Sequence, residues 1–417
     1  WLSDKSRYSC DGLAKQRLDV PYIKKQNKLV KSSWDEAIDI IAKKIIDTPK
    51  DQIAGHVGDM ASLETMFAFK KFLNSNNISN LDFREKKIKI INEQRMNYIF
   101  NSSIKGIEES DLIFLIGCNP RHEATMLNAR IRKAYLNNKT KIISLNEIGD
   151  LTYPYESLDG KTQNILDIFQ NKNPISEIII KSKKPMIILG ESFLNLKLSK
   201  FLFNLIKNFL LKNEKFSENW NPLNILSSDA ATVGNLDLDI ININRNLIKE
   251  LKENKFELLY LLGQDNLRFD KKDEFIIYQG SHGDRGAEIA DIILPGAAYT
   301  EQNGYFTNTE GKLQKAYKAS YPPGEAKEDW QIINEISKAA RGKNLYKGKD
   351  ELLDNMFNYL NHNIKEEFIK TDHIFENEKI FVEDIDYYFS NVIAKNSKTM
   401  SECRSLRSNL EKTGTDG

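Results

Sequence analysis

Clustered cysteine is what this chain most conspicuously lacks. Its three cysteines, Cys10, Cys118 and Cys403, stand alone with no CxxC or CxxxC pair, whereas iron–sulfur clusters and structural zinc need several thiolates at short spacings. The sequence therefore predicts no metal centre held by this chain alone, and sparse unpaired thiols suit a reducing compartment. Nucleotide fingerprints are missing too: Gly280-x-x-Gly283-x-x-Gly286 is not GxGxxG and no GxxxxGK[ST] occurs, which argues against an NAD-dependent Rossmann dehydrogenase and against a P-loop enzyme. Charge of one sign is not in excess, with 60 Lys and Arg against 59 Asp and Glu, so nothing in the total points to nucleic acid or to a membrane surface. Long apolar runs are absent as well. LIFLIG at Leu112–Gly117 and ELLYLLG at Glu257–Gly263 fall far short of a bilayer crossing, so no direct membrane span is expected. The chain starts at Trp1 without a signal-peptide pattern, which reads as a targeting segment removed or never present.

What is there is an alternation of strand and helix signals over 417 residues, more than one typical core, which predicts two doubly wound α/β lobes. Ser33 caps a helix predicted at Trp34–Asp47, with Glu36 completing a capping box. Gln52–Val57 reads as a strand, Ala61–Asn74 as an amphipathic helix, Asp111–Gly117 as a buried strand, Pro120–Asn137 as one helix and Lys141–Leu145 as a strand. Further on, strands are expected at Met186–Leu189, Leu223–Leu226, Ile240–Ile243 and Leu258–Leu262, helices at Leu194–Leu211 and Arg245–Glu253, and returning strands at Phe275–Tyr278 and Ile292–Leu294. The partition expected from this order is a docking segment at 1–33, a first lobe at 34–150, a second at 151–327 closed by the glycine-rich segment 280–312, and helices plus a mostly irregular tail at 328–417. Asp372–Asp384 and the residues after Arg404 read as poorly packed.

Two motifs carry polar groups where α/β folds bind ligands. GCNPRHE, Gly117–Glu123, sits where a strand ends and a helix begins, a position that attracts anions. Its alternative is a turn at Asn119-Pro120, with Arg121, His122 and Glu123 in capping or interface bonds, and this is favoured because folds outlive their ligands. The second motif, GSHGDRGAEIADIILPGAAYTEQNGYFTNTEGK at Gly280–Lys312, joins a His282-Asp284-Arg285 cluster to a short buried strand and a hairpin. That cluster suits proton transfer or a phosphate clamp. No nucleophile is signalled beside it, and a buried network fixing the loop is the preferred reading. Catalytic residues are thus assigned to none. Gly117, Asn119, Gly280, His282, Asp284 and Asn308 are the candidates for lining a vestigial cleft.

The same segments are familiar. Gly280–Lys312 resembles the closing segment of the molybdopterin-oxidoreductase fold, most closely the version in the large iron–sulfur subunits of respiratory complex I, NADH:ubiquinone oxidoreductase, which has lost the pterin. WLSDKSRYSCDGLAKQRLDVP (Trp1–Pro21), IGCNPRHEATMLNARIRKA (Ile116–Ala134), SYPPGEAKEDWQII (Ser320–Ile333) and DYYFSNVIAKNSKTMSEC (Asp386–Cys403) match that pattern in order. The resemblance implies a structural subunit of the peripheral arm, with no cofactor in this chain and with [2Fe-2S] and [4Fe-4S] clusters in a preceding region or a partner polypeptide. It implies the other peripheral-arm subunits as partners, the iron–sulfur region and the flavin-bearing NADH-binding subunit included. It also implies a place at the mitochondrial inner membrane on the matrix side, or at the cytoplasmic face of a bacterial plasma membrane. The other reading, a catalytic molybdopterin-dependent oxidoreductase fragment, needs a metal ligand that GDMASLET supplies only as Asp59 or Ser62.

Overall fold

A computed structural model describes residues 2–85, 91–241, 245, 247–362 and 375–413. Its strands, in chain order, are β1 (Tyr22–Lys25), β2 (Lys28–Lys31), β3 (Ile53–Val57), β4 (Asn80–Asp82), β5 (Leu112–Ile116), β6 (Lys141–Ser144), β7 (Glu156–Ser157), β8 (Pro185–Leu189), β9 (Leu223–Ile225), β10 (Leu258–Leu262), β11 (Phe275–Gly280), β12 (Ile292–Pro295), β13 (Gly304–Thr307) and β14 (Leu313–Ala316). They form a seven-stranded sheet in the order β2-β1-β12-β11-β10-β3-β4, a five-stranded sheet in the order β7-β6-β5-β8-β9, and the hairpin β13-β14. The five-stranded sheet is wholly parallel, whereas in the larger sheet β1 runs antiparallel to both its neighbours. Every residue of β3, β5, β8 and β10 is buried, as parallel strands covered on both faces require.

The sheets divide the chain differently from the sequential partition at residue 150. β3 and β4, from the expected first lobe, share a sheet with β10–β12, from the expected second, while β5 and β6 join β8 and β9. The chain thus leaves the seven-stranded sheet after β4, builds the five-stranded sheet, and returns. Hydrophobic alternation identifies a strand but carries no label for the sheet it joins, which is why the order of elements alone misassigns the boundary.

Local chemistry explains most element ends. Ser33 Oγ accepts from the Glu36 amide at 3.2 Å at the start of the helix Trp34–Asp47. The reciprocal half of the capping box does not form, because the Glu36 carboxylate turns instead to Lys25 Nζ at 2.8 Å and Ser32 Oγ at 2.5 Å. The single helix expected at 120–137 is broken at Ala124, whose φ of −148° separates Pro120–Glu123 from Thr125–Asn138. The expected Leu194–Leu211 helix is likewise two pieces, Glu191–Leu194 and Ser199–Lys212. Ile240 and Ile241 lie in no strand, and 242–243 fall outside the described residues.

The C-terminal region is more ordered than its composition suggests. Residues 398–413 form a helix, although 405–408 are exposed or half-buried, as expected of a poorly packed tail, and 414–417 lie outside the described residues. Ile380, within the other stretch expected to be loose, is buried against the five-stranded sheet. Its amide donates to Gly160 O at 2.8 Å and its carbonyl accepts from Asn146 Nδ2 at 2.7 Å. Residues 372–374 of that stretch lie outside the described residues. Trp1, read as part of the docking segment, does too. The rest of that segment folds back on its own chain: the Leu18 amide donates to Ser281 O at 3.1 Å and Gly12 packs under Ile393.

Candidate functional site: two glycine-sealed crevices

Ligands of open α/β sheets sit beyond the carboxyl ends of the strands, where the winding direction reverses. In the seven-stranded sheet that point lies between β3 and β10, and in the five-stranded sheet between β5 and β8. Both are shut by glycine backbone. The Gly58 amide donates to Leu262 O at 2.8 Å, and a Cβ on Gly58 would lie 1.8 Å from the Gly263 carbonyl oxygen. At the other point the Gly190 amide donates to Ile116 O at 3.0 Å, and a Cβ on Gly190 would lie 2.3 Å from Gly117 O. Gly117 itself has a φ of +66°, in the left-handed region.

Beside the first seal remains a cavity of about 50 Å³, lined by Asp265, Tyr278, Gln279, Gln302 and Asp329 among others, with Val392 and Ile393 of the short helix Val392–Lys395 in its wall. Its lining is acidic. Asp265 Oδ2 accepts from Tyr278 Oη at 2.9 Å, while its buried Oδ1 has no hydrogen-bond partner among the described residues. Burial lifts this carboxyl to about 7. Asp329 accepts from Gln279 Nε2 at 2.8 Å and from Gln302 Nε2 at 3.4 Å, and burial lifts it to about 6. Asp59 is held well above the usual range by desolvation and by Asp229, Glu85 and Asp265. Lys395 brings a cation to this group, donating to Asn266 Oδ1 at 2.6 Å and Asp284 Oδ2 at 3.2 Å.

A carboxyl raised in the folded state keeps its proton while the unfolded chain ionises, so stability falls as pH climbs from about 4 towards 7 and the penalty is constant above that. Asp265→Asn removes the ionisable group. Its effect relative to wild type should therefore become steadily more stabilising from about pH 4 towards pH 7 and then level off in thermal unfolding. A difference that does not change with pH would contradict the assignment.

The polar residues singled out from sequence do not converge. His282 is fully buried; its Nε2 faces Gly12 O at 3.1 Å and its Nδ1 Ser281 Oγ at 2.8 Å, and desolvation together with Arg17 lowers it to about 4. Asp284 pairs with Lys395, and Arg285 donates to the carbonyls of Leu267 and Phe269 at 3.3 and 3.2 Å. Three neighbours in sequence thus tie three different segments. Gly280 ends β11 and pairs with Pro295, and a Cβ there would meet Tyr278 Oη at 2.4 Å.

On the other sheet Asn119 Oδ1 accepts from the Arg121 amide at 3.1 Å and its Nδ2 donates to Ile148 O at 3.1 Å, which makes it a cap. Arg121 pairs with Asp150 at 2.7 Å. Asn308 shapes the β13-β14 turn by accepting from the Glu310 and Lys312 amides at 3.1 and 2.9 Å. The turn is fastened to 95–104, where Phe100 N donates to Thr309 O, Ile104 N to Glu310 Oε1 and Arg95 Nη2 to Gly311 O, each at 2.7 Å. Ser62 caps the helix Leu63–Ser75 through Thr65 N at 3.4 Å. Sequence reasoning passes over Asp265, Tyr278, Asp329 and Lys395; only a carboxylate inside an apolar strand-end context hints at the first.

This arrangement is that of a molybdopterin-oxidoreductase fold, and the chain belongs to the molybdopterin oxidoreductase family, whose pattern it matches over residues 17–339. Among its relatives, it is 36% identical over 434 residues to the NADH-ubiquinone oxidoreductase 75 kDa subunit of Reclinomonas americana, covering 97% of this chain and 63% of that one. It is 38% identical over 423 residues to an NADH-quinone oxidoreductase subunit of Rickettsia bellii, covering 99% and 61%. The chain therefore spans less than two thirds of the length of these relatives. One chain of a solved formyltransferase/hydrolase complex from Methylorubrum extorquens, bound to methylofuran, superposes with a TM-score of 0.56 at 10% identity, covering 81% of this chain and 99% of that one. At that identity the likeness concerns the fold.

The cofactor for which the family is named does not fit these residues. A pterin bearing a phosphate is anionic and needs a pocket of some hundreds of Å³, whereas the cavity here is about 50 Å³ and presents Asp265 and Asp329. No group of three His, Cys, Asp or Glu among the described residues is arranged to hold a metal ion, and no described helix is long and apolar enough to cross a membrane.

Proposed function

We propose that this chain is an architectural, pterin-free part of a complex I iron–sulfur subunit, serving NADH-to-quinone electron transfer that is carried by clusters on neighbouring chains or domains. What carries the reading is the closure of the β3/β10 crevice by Gly58 and Gly263, with Val392 and Ile393 in the wall of the small space that remains. Ligands of open α/β sheets occupy that place. The kinship to NADH-ubiquinone and NADH-quinone oxidoreductase subunits over nearly the whole chain supports the same assignment. In this reading the chain has no catalytic centre, and its partners are other peripheral-arm subunits, including the [2Fe-2S]- and [4Fe-4S]-bearing region and the flavin-bearing NADH-binding subunit. The place of the assembly is the matrix face of the mitochondrial inner membrane, or the cytoplasmic face of the plasma membrane in a bacterium.

The test is composition. Detergent-solubilised NADH:quinone oxidoreductase from the source organism, purified by its activity, should contain this polypeptide by mass spectrometry. Plasma emission analysis of the isolated chain should find no stoichiometric molybdenum, iron or zinc. About one molybdenum per chain would overturn the reading in favour of a catalytic molybdopterin enzyme.

A further inference from the structure

One surface strip combines lysines with bare tyrosines. From Lys312 to Tyr321 the sequence KLQKAYKASY contains three lysines and two tyrosines without a single acid. The side chains stand out: Leu313 is 46% exposed, Tyr317 73% and Tyr321 82%. Large tyrosines left this bare are uncommon unless something covers them.

The strip is held in place from beneath. β14 pairs with β13 from Gly304↔Ala316 to Thr307↔Leu313, and its other edge is unpaired among the described residues. Beyond it, the Lys318 amide donates to Asn303 Oδ1 at 2.9 Å, and the Ala319 and Ser320 amides donate to Thr300 O at 2.8 and 3.1 Å. Because residues two apart share a strand face, Leu313, Lys315 and Tyr317 fall in one row. Lys315 Nζ lies 5.2 Å from the Tyr317 ring centre and 5.6 Å from that of Tyr305, and Lys318 Nζ lies 4.2 Å above Tyr321. Lys312 has Glu310 as an ion-pair partner at 2.9 Å. Lys315 and Lys318 have ring contacts but no carboxylate within ion-pair distance among the described residues.

We propose that this strip is a docking surface for another polypeptide of the same assembly, one that presents carboxylates to Lys315 and Lys318 and covers Tyr317 and Tyr321. The inference rests on the subunit reading above and adds the place and chemistry of one contact. Two unanswered ammonium groups on a chain of otherwise balanced charge call for acidic partners. Tyrosine supplies contact area with few rotatable bonds, and the immobilised backbone means little is lost in ordering. The free edge of β14 favours a protein over a membrane or a nucleic acid, since only another backbone can pair with it.

Zero-length carbodiimide coupling of the intact assembly, followed by mass spectrometry, tests this directly, because it joins lysines only to carboxylates in contact. Links from Lys315 or Lys318 to Asp or Glu of a second polypeptide are expected. Acetylation of these two lysines should also be at least about tenfold slower in the assembly than in the isolated chain. The pair Lys315→Glu and Lys318→Glu should weaken incorporation by about tenfold, whereas Lys315→Arg with Lys318→Arg restores it. Equal acetylation in both states, or protection produced only by anionic lipid vesicles or by RNA, would overturn the proposal while leaving the subunit reading intact. Failure of the chain to co-purify with any complex I polypeptide would remove both.

Discussion

Arg17→Ala should lower the local stability of the join between the N-terminal segment and the seven-stranded sheet by about 3–5 kcal/mol, the cost of leaving a buried charge without its partner. Arg17 meets Glu301 in a bidentate pair, with Nη1 to Oε1 and Nη2 to Oε2 both at 2.5 Å. The side chains are only 11% and 5% exposed. The guanidinium also donates to Ser281 O at 3.0 Å and Leu13 O at 2.9 Å, and Glu301 accepts from the Ala298 amide at 2.9 Å. Truncation at Arg17 therefore leaves the Glu301 carboxylate without its cation and removes a donor from the Leu13 and Ser281 carbonyls. Hydrogen exchange is the suitable measurement, since the Leu18 amide is bonded to Ser281 O and the Gly283 amide to Gln16 O. Both should lose protection by factors of about a hundred or more, taking about 1.4 kcal/mol per tenfold. The double change Arg17→Met with Glu301→Leu should recover most of the loss, because an apolar pair of similar volume carries no desolvation cost. Protection unchanged in Arg17→Ala would show that solvent reaches the pair and screens it.

That pair marks the limit of what the sequence discloses. Arg17 and Glu301 are far apart along the chain, and each sits in a stretch where nothing local signals its partner. Elements announced by composition stand where expected: LIFLI of β5 and LLYLL of β10 are buried strands because an unbroken apolar run fits a parallel sheet covered on both faces. The helix starts at Ser33 and Pro120 are also local matters. Sheet membership is not local, so the order of elements groups β3 with β5 whereas the fold pairs it with β10. At the candidate site the glycines and the His282 loop stand out by their spacing, but the divergence of His282, Asp284 and Arg285 depends on three separate segments packed around them. Asp265 and Lys395 become a pair of interest only because the end of the chain returns to the end of β10. The tail after Arg404, polar in sequence, is helical because its start is capped from the opposite terminus.

The cap makes the last expectation. Asp11 Oδ2 accepts from the Lys398 and Thr399 amides at 2.9 and 3.2 Å, and Asp11 Oδ1 accepts from Ser397 Oγ at 2.5 Å, so the helix Lys398–Thr413 begins on a carboxylate supplied by the N-terminal segment. Such a charge at a helix start is favourable for both its hydrogen bonds and the helix dipole. Next to it Gly12 lies so close to the helix Val392–Lys395 that a Cβ would stand 2.1 Å from Ile393 O and 3.1 Å from the Ser397 amide nitrogen. Both obstacles are backbone, and no rotamer change relieves them. Gly12→Ala must therefore push the two segments apart, at a cost of about 1–3 kcal/mol or more, the range typical of overpacking. Val392 and Ile393, which line the cavity beside Asp265, should move with them, and the Lys395–Asp284 pair should open. Limited proteolysis should then cut near 386–398 in the variant at a protease level that spares the wild type, while amides of β5 and β8 in the other sheet keep their protection. Uniform loss of protection through both sheets would mean that Gly12 supports the whole fold. Unchanged cleavage would mean that the chain ends are not joined as described, and with that the covering of the β3/β10 crevice would lose its basis.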